Sequence, residues 1–386
     1  MNSSKYKKAI KRCFFRIINL CLSVFPVRRN RVFFLSFYGN SYSDNPKAIS
    51  EALYDLYGNE YDYIWVVVSE SIKKSMPKYV KTCRYNSVRM VYYMATSKVW
   101  VSNFCLPKGT YKKKEQYYIQ TWHGDKAFKK IMHDVPSRDG SEKWLFETDN
   151  ANLMTAGSKY GESQFRTAFL YNGEVLKCGT PRNDIFFKDT INLQKHVRYL
   201  LGLKETDKIV LYAPTFRREN KKGLFEAHFD FSKSLKILED VTGDKWKMMV
   251  RMHSADKRDL IGMAGMDCLN VSDYPETNEL LLITDILITD FSSIAGDFAL
   301  SYKPIILFLY NMEDYLLNDR ELYFDVSKSP YMCTTKEEGL YDFLENIKHF
   351  NPQKNCSDIL EFYGDLESGK SSRIVAEKIN TFRYKK

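Results

Sequence analysis

The sequence predicts an α/β protein made of two doubly wound, Rossmann-type domains that face a cleft. Short apolar runs of strand length alternate with stretches of helical periodicity, which is the pattern of a parallel sheet with crossover helices. The alternation restarts after a turn-rich segment at 178–184. A chain of 386 residues also exceeds one compact core and fits two domains. In such sheets, ligands bind beyond the carboxyl ends of the strands.

Each domain is predicted from runs rich in Val, Ile, Phe and Tyr, which are enriched in strands. The first domain is expected to cover 31–180, with strands at 31–37, 63–68, 98–103 and 117–122 and helices at 48–57 and 87–96. The second is expected to cover 181–386, with strands at 208–214, 247–253, 267–273, 285–290 and 304–310 and helices between them.

The formal net charge of +10 calls for an anionic partner: a nucleic acid, an anionic membrane or a phosphorylated substrate. Nine Lys and Arg residues and no acidic residue lie in 1–31, so the rest of the chain is nearly neutral. A nucleic-acid enzyme usually spreads its basic residues along a binding groove. Charge concentrated at one end favours a membrane surface and argues against a nucleic-acid partner.

Residues 1–30 are predicted to form an amphipathic N-terminal helix that contacts the membrane. Between 5 and 25, apolar side chains recur at helical spacing and cations cluster in the first half. A signal peptide is one alternative, but Arg16 interrupts the apolar stretch and no small-residue cleavage site follows. A transmembrane helix is another, but the uncharged run at 17–27 is shorter than the about 20 residues required. The third alternative is an ordinary amphipathic helix that packs on the first domain.

The strand predicted at 117–122 ends in a candidate base. Trp122 closes the strand, His123 stands at its carboxyl end and Gly124 permits a tight turn. A histidine there can act as a general base near neutral pH, and three lysines in the next seven residues can attract phosphate. The alternative to a base is a structural histidine, which only makes hydrogen bonds at the end of the strand.

Two further polar clusters follow strands of the second half. Pro214 and Thr215 form a turn that leads to two arginines. Arg251 and His253 share one face of a strand, because strand side chains alternate. Such a pair suits a diphosphate, since both side chains donate to phosphoryl oxygens. A structural partnership with a surface carboxylate is the alternative.

The strongest cluster is ILITDFSSIAGDF at 286–298. The strand ends at Asp290, and Ser292 and Ser293 lead into a helix that bears Asp297. A helix N-terminus exposes free N–H groups and a partial positive charge, which suits a phosphate. Simple N-capping is the equal alternative.

Other site types have no signal in the sequence. A Gly-x-Gly-x-x-Gly loop, a P-loop and metal-ligand spacing are all lacking, and the eight cysteines include no Cys-x-x-Cys pair. We therefore expect neither a metal nor a cofactor.

Five motifs together, QTWHG, CGTPRND, LYAPTFR, RMH and ITDFSSIAGDFAL, resemble in order and spacing the CDP-glycerol glycerophosphotransferase family. The resemblance runs from about Val32 to Phe324, and that family includes primases and polymerases of wall teichoic acid. It implies a GT-B-like fold, with an acceptor domain before a nucleotide-binding domain and a membrane-associated N-terminus. It also implies transfer of polyol phosphate from a CDP-polyol to a cell-envelope acceptor, with release of CMP.

The resemblance also implies residue roles. His123 would be the catalytic base and His253 a second essential imidazole, while Trp122 and Gly124 would line the phosphate side of the donor. The residues implied to hold CDP-glycerol are Arg182, Pro214, Thr215, Arg251, Ser292, Ser293 and Asp297.

One departure from the family pattern follows His123. Related polymerases usually have Thr and Pro two and three positions after the histidine, where this chain has Asp125 and Lys126. Residues at those positions would contact the donor. We therefore expect Asp125 and Lys126 to bear on which polyol is used.

The expected partners are CDP-glycerol or another CDP-polyol, a lipid-linked saccharide or polyol-phosphate acceptor, and an anionic membrane surface. The expected location is peripheral, on the cytoplasmic face of the cell membrane, in teichoic-acid or capsule-type polymer synthesis. A GT-B glycosyltransferase that uses a nucleotide sugar in surface polysaccharide synthesis is the alternative enzyme. A nucleotide-binding scaffold protein is the non-enzymatic alternative.

Overall fold

The computed structural model describes residues 15–136, 145–215, 228–252, 267–310, 312–318 and 321–385. The strands in these ranges are β1 (Arg28–Leu35), β2 (Asp62–Val67), β3 (Val80–Arg84), β4 (Ser97–Ser102), β5 (Tyr117–Gln120), β6 (Leu153–Ala156), β7 (Glu174–Lys177), β8 (Lys208–Ala213), β9 (Trp246–Val250), β10 (Cys268–Asn270), β11 (Ile286–Thr289), β12 (Ile305–Phe308) and β13 (Met332–Thr334).

The α-helices in these ranges begin with α1 over 15–22. The others are α2 (Asp44–Tyr57), α3 (Glu70–Lys74), α4 (Val88–Thr96), α5 (Phe146–Asn150), α6 (Lys159–Ala168), α7 (Ile191–Leu200), α8 (Phe231–Thr242), α9 (Thr277–Ile283), α10 (Ile294–Phe298), α11 (Met312–Asn318), α12 (Glu337–Glu345), α13 (Pro352–Tyr363) and α14 (Ser371–Tyr384).

The first of two compact units takes in the described residues of 1–125, 136–187 and 366–386. Its seven strands are all parallel, in the order β3-β2-β1-β4-β5-β6-β7. The order reverses between β1 and β4, which makes that point the topological switch of the sheet.

Helices cover both faces of this first sheet. On one face, Leu53 of α2 and Ile379 of α14 pack with Phe34 of β1. On the other face, Met90 of α4 packs with Phe33 of the same strand. Neighbouring residues of one strand thus enter different cores, because strand side chains alternate.

The second unit takes in the described residues of 126–135 and 188–365. Its six strands are also parallel, in the order β10-β9-β8-β11-β12-β13, and the switch point lies between β8 and β11. Leu235 of α8 and Leu344 of α12 are buried in its core. The predicted α/β class with doubly wound sheets is confirmed.

The units differ from the predicted boundaries of 31–180 and 181–386 in three segments. Residues 126–135 belong to the second unit, whereas 181–187 and α14 belong to the first. The carboxylate of Asp184 accepts hydrogen bonds from the backbone N–H groups of Ser371 and Ser372, at 2.9 and 2.7 Å. This cap starts α14, whose apolar face then packs on the first sheet.

The structure describes only part of the predicted N-terminal helix. Residues 15–22 are helical as α1, and residues 1–14 lie outside the described ranges. Within those ranges, every helix falls short of the length and apolar character that crossing a bilayer demands.

Candidate active site

The chain turns sharply where β5 ends. Trp122 adopts a φ of 52°, a conformation that a bulky residue rarely takes. Its N–H donates to Oε1 of Gln120 at 2.8 Å, and its carbonyl oxygen accepts from Nδ2 of Asn45 at 3.0 Å. Such backbone strain costs on the order of 1–3 kcal/mol and persists where surrounding contacts enforce it, often at functional sites.

The His123 ring is held in a defined orientation. Its Nδ1 lies 2.7 Å from the carbonyl oxygen of Asn103, just after β4. The ring stacks on Phe104 with a centroid separation of 5.1 Å and contacts Trp122 and Phe37. Because a carbonyl oxygen only accepts, Nδ1 carries the proton and Nε2 of the neutral ring bears the lone pair. This tautomer suits a general base acting through Nε2.

A buried polar network supports that orientation. Asn103 donates from Nδ2 to Oδ1 of Asp44 at 3.0 Å and accepts the N–H of Phe37 at 3.0 Å. Asp44, at the start of α2, has a φ of 65°. Asp44, Phe37 and Trp122 all have positive φ, so three strained residues adjoin His123 or its support.

Arg182 lies on the same network. Its Nη1 is 3.1 Å from Oδ2 of Asp44, and both side chains are almost fully buried. Its backbone N–H donates to Oδ1 of Asn45 at 3.0 Å. The guanidinium thus neutralises a buried carboxylate; contact with CDP-glycerol, which the resemblance implies, stays a prediction.

Asp44, Asn45 and Asn103 were missed as site residues by sequence reasoning. Asp44 and Asn45 occur in the SYSDNP segment before a predicted helix, and Asn103 ends a predicted strand. Polar residues at the carboxyl end of a parallel strand were the available signal.

Asp125 and Lys126 both have partners within the protein. Oδ1 of Asp125 accepts the N–H of Gly157 at 2.9 Å, inside the first unit. Lys126, in the second unit, is fully buried and places Nζ 3.0 Å from Oδ1 of Asp365. A Cβ on Gly296 would lie 2.6 Å from the Lys126 stem, so that position suits only glycine. Donor contact by Asp125 and Lys126 stays a prediction.

In the second unit, one carboxylate joins the loops at the switch point. Asp290, just after β11, accepts the N–H of Thr215 at 2.9 Å and its hydroxyl at 3.1 Å. Thr289 reinforces the pairing, because its hydroxyl donates to the carbonyl of Ala213 at 2.6 Å. Pro214 and Thr215 are thereby fixed beside the start of α10, at the edge where ligands bind such sheets.

The other predicted residues of this unit lie at the same edge. Ser292 and Ser293 are half-buried and precede α10, which carries the buried Asp297. Arg251 follows β9 and donates from Nη1 to the carbonyl oxygens of Val271 and Tyr274, at 3.0 and 2.8 Å. Burial lowers the pKa of Arg251, and nearby carboxylates oppose that shift.

His253 lies outside the described residues.

Each unit presents one polar cluster beyond the carboxyl ends of its strands, at or beside its switch point. Two doubly wound parallel sheets, each with a polar cluster at the carboxyl ends of its strands, are the architecture of GT-B-like transferases that use nucleotide-activated donors.

The family profile described as CDP-Glycerol:Poly(glycerophosphate) glycerophosphotransferase matches residues 17–381. The chain belongs to this family, and the resemblance seen in its five motifs is confirmed. The wall teichoic acid polymerase TagF, as a histidine-to-asparagine variant with CDPG, is 26% identical with a TM-score of 0.83. The match covers 99% of this chain and 98% of that one, and it confirms the GT-B-like fold.

Curated relatives agree in class. The teichoic acid poly(glycerol phosphate) polymerase of Bacillus spizizenii is 30% identical over 97% of this chain and 98% of its own length. The teichoic acid glycerol-phosphate transferase of Staphylococcus aureus is 27% identical over 98% of this chain and 100% of its own length. The chain spans 50% of the teichoic acid poly(glycerol phosphate) polymerase of Bacillus subtilis, at 30% identity over 95% of this chain.

Proposed function

We propose that this protein transfers glycerol phosphate from CDP-glycerol to a lipid-linked acceptor at the membrane and releases CMP. Family membership and the likeness to TagF support the reaction class. The structural observation that carries the proposal is the His123 ring, held through Nδ1 at the end of β5 with strained backbone beside it. That geometry prepares Nε2 to accept a proton.

In the proposed reaction, an acceptor hydroxyl attacks the β-phosphorus of CDP-glycerol. The bond from that phosphorus to the oxygen bridging to CMP breaks, and CMP leaves with the electron pair. Nε2 of His123 takes the proton of the hydroxyl. The turn at Ser292 and Ser293, together with Arg251 and His253, is assigned to the diphosphate. Positioning and electrostatic stabilisation supply most of the acceleration in phosphoryl transfer.

We assign membrane contact to α1 and the residues just after it because they expose several apolar side chains. Asn19 is 1% exposed and donates to the carbonyl of Phe15 at 3.0 Å, whereas Ile17, Leu20 and Val24 are 58%, 45% and 80% exposed. A helix that serves only the protein core buries its apolar side chains instead. Exposed apolar side chains beside a cationic N-terminal segment fit insertion into an anionic lipid interface.

Product analysis tests the reaction. The full-length protein is incubated with a lipid-linked saccharide and, in parallel, CDP-glycerol, CDP-ribitol or a UDP-sugar, and acceptor masses and released nucleotides are measured. We expect CMP release from CDP-glycerol with matching gain of glycerol phosphate on the acceptor. Transfer from the UDP-sugar alone would establish the glycosyltransferase alternative, and donor binding without turnover would establish the scaffold alternative.

A further inference from the structure

A cavity of about 510 Å³ opens in the first unit beside the carboxyl ends of β2 and β3. The buried side chains of Val67 and Cys83 contribute to its floor. Lys73, Arg84 and Arg89 line it and reach solvent. The proposed reaction at His123 does not use this space.

Two cations that line the cavity, Arg84 and Arg89, form no ion pair with any carboxylate of the described residues. Lys73, by contrast, pairs with Glu70 at 3.1 Å. Arg89 donates to the hydroxyl of Tyr93, at 3.2 Å. Two guanidinium groups beside a cavity suit phosphate oxygens, which they bind in a bidentate fashion.

The cavity and His123 lie along one edge of one sheet. Between them the strand order is β3-β2-β1-β4-β5, and neighbouring strands are about 4.8 Å apart, which places the cavity roughly 17 Å from His123. Aromatic rings bridge this distance. Tyr38 contacts Tyr85 and Phe104 with centroid separations of 5.7 and 4.8 Å, and Phe104 stacks on His123.

We propose that this cavity binds a phosphodiester of the polyol-phosphate acceptor chain, several units away from the hydroxyl that reacts at His123. The inference rests on the proposed function, because each transfer of glycerol phosphate lengthens a phosphodiester-linked polyanion that is also the next acceptor. Arg84 and Arg89 hold the phosphate, and the row of rings supports the intervening carbon chain. The protein thereby favours acceptors that are long enough to reach the cavity.

Acceptor length provides the test. The full-length protein and its Arg84→Gln/Arg89→Gln variant are assayed with CDP-glycerol and two lipid-linked acceptors, one with a single glycerol phosphate and one with a short run of them. We expect the acceptor KM for the longer one to rise about 10–100-fold in the variant, as loss of two charge-assisted contacts implies. The KM for the single-unit acceptor and the kcat should not change. Equal KM changes for both acceptors, or none, would overturn the proposal.

Lys78→Gln is the matched control, because Lys78 is an exposed cation that precedes β3 and so lies at the opposite, amino edge of the sheet. The melting temperature of each variant checks folding.

Calorimetric titration with short poly(glycerol phosphate) and with inorganic phosphate separates the cavity from the reaction. We expect the wild type to bind the chain more tightly than phosphate, and the variant to lose that difference. Equal binding of both anions, or no binding, would overturn the proposal. If the wild type releases no CMP, the proposed function fails while the titration still decides what the cavity binds.

Discussion

Nδ1 of His123 donates to the backbone carbonyl of Asn103 at 2.7 Å, which joins the loops that follow β5 and β4. The side chain of Asn103 in turn donates to Asp44. The orientation of the proposed base therefore depends on three segments that are distant in the sequence.

Replacing His123 should remove the base and leave the donor site intact. We expect His123→Gln to lower the rate of CMP release on the order of 100-fold or more, because general-base catalysis contributes at least that much. Binding of CDP-glycerol, measured by calorimetry, should persist. His196→Gln is the control, since His196 is exposed on α7. Near-normal turnover in His123→Gln would refute the assignment.

The pair of Asp44 and Arg182 should support both stability and turnover. Asp44→Asn removes a carboxylate charge from its ion pair with the buried guanidinium of Arg182, so we expect a loss of about 3–5 kcal/mol in the free energy of unfolding. The kcat should fall about 10–100-fold, because loss of the ion pair with Arg182 shifts residue 44, to which Asn103 donates, and thereby displaces the His123 ring. Urea unfolding and CMP release measure the two effects.

The double variant Asp44→Asn/Arg182→Gln tests this coupling. Removing both charges should restore part of the unfolding free energy but leave kcat low. Strictly additive losses of stability would mean that the two side chains do not interact.

Glu147 should make stability depend on pH. This carboxyl group is 1% exposed, and burial raises its pKa, although hydrogen bonds from the N–H of Leu106 and the hydroxyl of Tyr118 oppose the shift. The folded protein therefore keeps this proton to higher pH than the unfolded chain does. The contribution of Glu147 to the free energy of unfolding should fall as pH rises from the ordinary value of 4.5 through the folded pKa.

Glu147→Gln tests this pH dependence, because glutamine keeps an acceptor oxygen for both donors but does not titrate. Urea unfolding from the acidic range to neutrality should show a smaller decline for Glu147→Gln than for the wild type. Glu345→Gln, at an exposed position on α12, should leave the decline unchanged. Parallel curves for wild type and Glu147→Gln would contradict the prediction.

The exposed apolar side chains of α1 and the residues just after it should bind lipid. We expect Ile17→Ser/Leu20→Ser/Val24→Ser to weaken the affinity for anionic vesicles, measured by sedimentation, on the order of 1000-fold or more, since each buried apolar side chain contributes about 1.5–3 kcal/mol. Stability should change little, because these side chains are exposed. Leu200→Ser, at an exposed position on α7, is the control, and unchanged vesicle binding of the triple variant would refute the membrane contact.

Burial and residue composition explain which strands were predicted from the sequence and which were missed. Strands β1, β2 and β4 are buried on both faces of a parallel sheet, so they read as continuous apolar runs. Strands β3, β7 and β13 lie at sheet edges and carry half-exposed residues, and no apolar run marks them. Strand β6 is buried, but its residues, LMTA, include none of the Val, Ile, Phe and Tyr from which the other strands were predicted.

The sequence by itself determined the doubly wound α/β class and, through the order of five motifs, the family. Both are properties of local periodicity and motif order along the chain. Only the tertiary structure decided that Nδ1 of His123 donates to Asn103, that Asp44 pairs with Arg182, and that α14 returns to the first unit. These contacts join residues far apart in the sequence, and they form only when burial makes an unpaired polar group costly, which no local pattern encodes.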